Sequence, residues 1–250
     1  MPSEHGGWGL TLEPAVLGLL VAPSVAGGAL GIAALAAFLF RTPFKIAAGD
    51  LRRDRRTART LLAVRAAVGY GIVLAVSITT AVITAGHPFW QPLAFAAPLV
   101  VLQAAYDVRS RSRRLVPEIA GPVAIASIAA SIALAGGEET ATAYGLWLVM
   151  ALRAAASVIL VRAQLRRAKA QPYRKAPAHL AAALGAAIAT GVAVAGWVPW
   201  LGATAIAALV PFGWWSLARP PVRAVVVGIH QTVVGIVVVA LTAAGVAAGL

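Results

Sequence analysis

The stretch RTPFKIAAGDLRRDRRTAR, Arg41 to Arg59, concentrates charge in a chain that is otherwise almost without it. It sets Asp50 and Asp54 four residues apart among Arg52, Arg53, Arg55 and Arg56, with apolar runs on either side. This reads as a water-facing turn between two membrane helices. If residues 50–54 are helical, both carboxylates lie on one face with Cβ atoms about 5–6 Å apart. Two oxygen ligands at that spacing can share Mg²⁺, which keeps several waters and takes its other ligands from a phosphate.

Outside this turn, composition decides the class. Hydrophobic residues make up 60% of the 250 positions and charged residues 12%, and the mean hydropathy is +0.85. These values lie beyond soluble domains and predict a polytopic membrane protein. Weak alternation and abundant Ala, Leu, Val and Gly favour helices over a β-barrel. The start, MPSEHGGWG, has no basic n-region or small-residue cleavage site, so nothing is expected to be removed. Cysteine is absent, which excludes disulfides and thiolate metal sites.

Nine apolar stretches follow, at 10–27, 28–44, 58–85, 89–106, 117–136, 141–163, 177–196, 198–218 and 222–249. The expected fold is an all-α transmembrane bundle of about nine helices, one integral membrane domain over residues 1–250. The net charge of +13 would suggest nucleic acid in a soluble protein. Here the Lys and Arg fall in or beside alternate loops, after stretches two, four, six and eight, with Arg65 a little inside the third stretch and Arg153 within the sixth nearest the same side, and the intervening loops have none. That alternation predicts the bacterial cytoplasmic membrane, with the N-terminus inside and the C-terminus outside, and no nucleic acid. Each basic residue near the inner leaflet adds about 1 kcal/mol of attraction to anionic lipids, which accounts for Arg109 to Arg114 without any ligand.

Ionisable groups within apolar stretches are costly and invite a functional reading. Glu13 precedes Pro14 in the first stretch, and Asp107 stands at the inner boundary of the fourth. Arg153 lies in the sixth, and Gln103, His230 and Gln231 complete the intramembrane polar set with Arg65. Asp107 and Arg153 suit structural ion pairs as well as a site, since both can reach the surface. At the start, Glu4-His5 before Trp8 can hold a metal, exchange a proton or cap the helix. HExxH, GxSxG, Walker and GxGxxG patterns are all missing.

The opening PSEHGGWGLTLEPAVLGLL resembles the YwiC-like family of bacterial membrane proteins, a likeness that implies no activity. The position of GDLRRD, Gly49 to Asp54, after the second stretch is similar to the first Asp-rich motif of UbiA-type intramembrane prenyltransferases. Tyr106-Asp107 through Arg113-Arg114, then Pro117-Glu118 to Gly121, resembles two further motifs of those enzymes. The second Asp-rich motif is replaced by Arg162-Ala-Gln-Leu-Arg166-Arg167-Ala-Lys169, without an acidic residue.

The resemblance implies an isoprenoid diphosphate, or another phosphorylated lipid, with its head in a cytoplasm-facing pocket and its tail between helices. Asp50 and Asp54 would hold Mg²⁺. Arg41, Lys45, Arg53, Tyr106, Asp107, Arg113, Arg114, Arg153, Arg162, Arg166 and Arg167 would bind substrate, the last four steadying a departing diphosphate. Glu13 or His5 would handle the acceptor proton. The missing acidic motif leaves open a non-catalytic binding protein or a subunit with a protein partner. A proton-coupled transporter using Glu13, Gln103, Asp107 and His230 is the third reading.

Overall fold

The computed structural model describes residues 5–55, 57–109 and 114–249. Their regular structure is entirely helical: α1 His5–Val21, α2 Val25–Leu51, α3 Ala58–Thr84, α4 Gln91–Val108, α5 Leu115–Ala135, α6 Thr140–Ala168, α7 Ala176–Val194, α8 Trp200–Ala207, α9 Leu209–Ala218 and α10 Ala224–Ala248. Segments α8 and α9 follow one another across Ala208, where Pro211 offers no N–H to the Ala207 carbonyl. Counted as one rod, they match the single stretch expected at 198–218. Among the described residues seven helices are long and apolar enough to cross a membrane: α2, α3, α5, α6, α7, α8 with α9, and α10. The protein is a multi-pass membrane helical bundle.

Two boundaries differ from the sequence expectation. The break foreseen at Gly27-Gly28 falls instead at Ser24, whose hydroxyl accepts the Gly27 N–H at 2.9 Å and caps α2. Gly27 is kept small by packing, because a Cβ there would stand 2.9 Å from Ile132 Cγ2. At its other end α2 runs to Leu51, so Arg41, Lys45 and Asp50 are helical residues and not loop residues.

The two ends of the bundle are fastened differently. At one end backbone meets backbone: a Cβ on Gly136 would strike the Ala22 carbonyl, and one on Gly145 the Trp197 carbonyl. The loops there have no Lys or Arg. At the basic end, side chains join the helices, through Arg41 to Asp107 and Arg162 to Glu118.

Helix α5 is the most enclosed, with 72% of its apolar window buried, and it packs on α1, α2, α4 and α6. Small residues such as Ala126, Ala129, Ala130 and Ala133 let neighbours approach its backbone, which is how helices associate where hydrophobicity gives no drive. Helix α3, by contrast, rests chiefly on α2 and is only 17% buried. Helix α6 packs on α1, α5 and every helix from α7 to α10. Thus α1 and α5 stand between α2 and α6.

Candidate functional site

At the α2–α3 turn the helix stops before Asp54. The Arg55 N–H reaches the Asp50 carbonyl at 2.9 Å and the Asp54 N–H reaches Leu51 at 3.1 Å, a left-handed helix stop. Asp54 supplies its left-handed residue, at φ +50°. Aspartate tolerates that conformation better than most residues. The shared helical face expected for Asp50 and Asp54 is therefore absent, because the backbone turns between them. Asp50 Oδ2 accepts the Thr60 hydroxyl at 2.9 Å, which ties the end of α2 to the start of α3. Among the described residues no three His, Cys, Asp or Glu side chains come together to hold a metal. The turn offers two carboxylates, Asp50 and Asp54, that do not share one helical face.

The other expected ligand residues divide into pairs and exposed cations. Arg41 grips Asp107 with two bonds of 2.8 and 2.9 Å, and Lys45 lies 3.9 Å from the same carboxylate. Tyr106 is half-buried beside them in the chain. Arg162 donates to Glu118 at 2.6 Å, joining α6 to the first turn of α5. Arg53, Arg114 and Arg166 are exposed. Arg113 lies outside the described residues, as does the side chain of His5, whose backbone opens α1.

The two intramembrane ions meet. Glu13 of α1 and Arg153 of α6, 140 positions apart, form a salt bridge of 3.2 Å in which Arg153 is 1% exposed and Glu13 8%. Arg153 also donates to the Gln231 backbone carbonyl at 2.7 Å, to Gln231 Oε1 at 3.4 Å and to the Ser157 hydroxyl. Gly235 of α10 makes room, since any Cβ there would overlap the Glu13 carboxylate. Three helices, α1, α6 and α10, thus converge on one guanidinium. Taking two charges out of water costs several kcal/mol per ion, which only this set of bonds offsets. Arg153 lies nine residues from Arg162 along α6, about 13 Å deeper at 1.5 Å per residue.

A second polar feature lies where α6, α9 and α10 open at the basic end. A cavity of about 40 Å³ is lined by Gln164, Arg167, Trp215, Ser216, Arg219 and His230, with Pro220 and Pro221 on its rim. Arg167 donates to the Leu217 and Arg219 carbonyls at 2.9 and 2.7 Å and so closes the C-terminal end of α9. Arg219 lies 4.8 Å from the Trp215 ring centre, and His230 meets the same ring edge-on at 5.7 Å. No carboxylate is in this lining. The sequence reading singled out Arg167 but not Gln164, Arg219 or Ser157. For Gln164 and Ser157 the signal was spacing: 153, 157, 164 and 167 fall on one face of a 3.6-residue helix.

The model of one family, described as YwiC-like protein, matches residues 1–133, more than half of the chain. The chain belongs to the YwiC-like family. No curated protein and no solved structure matches it. In this YwiC-like protein the matched stretch runs from the N-terminus almost to the end of α5 and includes Glu13, Asp50, Asp54 and Asp107. Arg153, Gln231 and the cavity beside Arg167 lie beyond it.

Proposed function

We propose that this YwiC-like protein binds a phosphorylated lipid, an isoprenoid diphosphate or one of similar chemistry, with the headgroup at the basic end and the tail between helices. The observation that carries the reading is the cavity between α6, α9 and α10, which offers two guanidinium groups, an imidazole and an amide and no carboxylate. Arginine binds phosphate in a planar fork and without a metal. The likeness of Gly49–Asp54 to the first prenyltransferase motif supports an isoprenoid. The whole chain serves as one membrane domain in the bacterial cytoplasmic membrane. Its basic end faces the cytoplasm, where anionic lipids add to the attraction.

The reading is one of binding. Phosphate is assigned to Arg167 and Arg219, whose guanidinium groups can hold it without a metal. A non-catalytic role within a larger complex is favoured by α3, which leaves most of its surface to lipid or to a protein partner. Native mass spectrometry of the purified protein tests the headgroup site. Wild type is expected to retain phosphorylated lipid; Arg219→Ala should weaken retention, and the Arg167→Ala/Arg219→Ala variant should lose it and also unfold at a lower temperature, since Arg167 closes the end of α9. Equal retention by all three removes the site from this cavity.

A further inference from the structure

We infer that Glu13 is a proton-exchange site, reached by water from the basic end along a crevice between α6, α9 and α10. The inference does not depend on the lipid reading, since it concerns the deep end of the crevice and a different ligand, the proton.

Four observations lead to it. First, Arg153, Ser157, Gln164 and Arg167 line one face of α6, and consecutive residues of α10, His230 and Gln231, stand opposite. Second, two cavities lie in series along that face. The outer holds about 40 Å³ and includes Gln164, Arg167 and His230; the inner holds about 10 Å³ and includes Ser157 and Gln231. The inner volume is about that of one water. Third, buried polar atoms with no protein partner mark the line: Gln164 Oε1, Gln231 Nε2 and Arg153 Nε. Arg153 and Gln231 are themselves at least nine-tenths buried. Buried polar groups of this kind are usually met by ordered water. Fourth, Gly213 of α9 borders the inner cavity and is buried, yet a Cβ added there meets no atom within 4 Å.

The groups around Glu13 leave it as the proton acceptor. Helix α6 presents Arg153, which stays protonated, and α10 presents Gln231 and Gly235. His230 of α10 faces Trp215 and the outer cavity. The titratable groups of α2 and α5 are held at the basic end, Arg41 and Lys45 by Asp107, Asp50 by Thr60 and Glu118 by Arg162. The step is a single proton transfer. A hydronium entering past Arg167 gives its proton, through the water at Ser157 and Gln231, to the Glu13 carboxylate, and water is left behind. Neutral Glu13 then no longer balances the charge of Arg153, which frees the guanidinium from α1.

Infrared spectroscopy of the full-length protein in vesicles reads this directly. A carbonyl band of protonated carboxylic acid is expected on acidification, absent in Glu13→Gln, and shifted when the buffer is changed to D₂O. Gly213→Leu places a side chain in open space and plugs the inner cavity, so the isotope shift of the Glu13 band should slow at least about tenfold. If Glu13→Gln leaves every pH-dependent carbonyl band in place, the proton site is wrong. If Gly213→Leu keeps the band and its wild-type exchange rate, the crevice is not the route. Gly228→Ala, on α10 where a Cβ also meets nothing within 4 Å and outside both cavity linings, should exchange like wild type.

Discussion

Asp50 and Glu13 are carboxylates of similar prominence in the sequence, and they end in opposite surroundings. Asp50 sits at the edge of the bundle, in the last turn of α2, where it accepts one hydroxyl from Thr60. Around it Arg52, Arg53 and Arg55 are exposed to water. Glu13 sits where α1, α6 and α10 converge, against a guanidinium that is 1% exposed and bonded to a second helix as well. In the first region charge is dense and each ion is cheap to hold, because water screens it. In the second charge is sparse and each ion is expensive. Density of charge marks the membrane surface, whereas the cost of a charge marks the place where helices depend on it.

The sharpest way to break that contrast is to remove one ion from each region. Arg153→Met leaves Glu13 and the Gln231 carbonyl without their donor and should destabilise the protein by about 3–5 kcal/mol. Thermal unfolding in detergent measures it. The Glu13→Gln/Arg153→Met double variant should recover part of the loss, because no uncompensated carboxylate is left. If the single variant unfolds like wild type, the buried pair is not what joins α1, α6 and α10.

Removal of the edge carboxylates should do much less. Asp50→Ala costs one partly exposed hydrogen bond, about 0.5–1.5 kcal/mol. The Asp50→Ala/Asp54→Ala variant should retain phosphorylated lipid as wild type does, whether or not Mg²⁺ is present. Loss of lipid only when Mg²⁺ is supplied would move the headgroup site from Arg167 and Arg219 to the α2–α3 turn.

The helical class and most of the spans were legible from composition and from the alternation of basic loops, because lipid allows so few backbone solutions. Glu13 and Arg153 could each be picked out, since an ion in an apolar run is rare. Their pairing could not, because nothing local relates residues 140 positions apart. Pattern also misled in two places. The glycines at 27 and 28 look like a turn, yet the hydroxyl of Ser24 decides where α2 begins and Gly27 serves close packing against Ile132. Asp54 looks like the next helical turn after Asp50, yet its backbone carries the left-handed turn that ends α2. A glycine there would have announced the stop; an aspartate among arginines concealed it.

The same stop recurs at other helix ends and gives the finest test of how the two ends of the bundle differ. At the end without basic residues the left-handed position is filled by Gly137 after α5 and Gly196 after α7. At the basic end it is filled by Asp54 after α2 and Ala170 after α6, at φ +50° and +53°. A left-handed residue with a Cβ costs roughly 1–2 kcal/mol, part of which glycine returns through its greater freedom when unfolded. Ala170→Gly should therefore stabilise the protein, by about 0.5–1 kcal/mol. Gly137→Ala should destabilise it by more, since its Cβ would also come within 3.3 Å of His87 Nε2. Thermal unfolding of the two variants side by side should move the midpoint in opposite directions. A midpoint that falls for both would mean that Ala170 is held by contacts worth more than its strain, and that the α6–α7 turn, next to the outer cavity, is built for its shape.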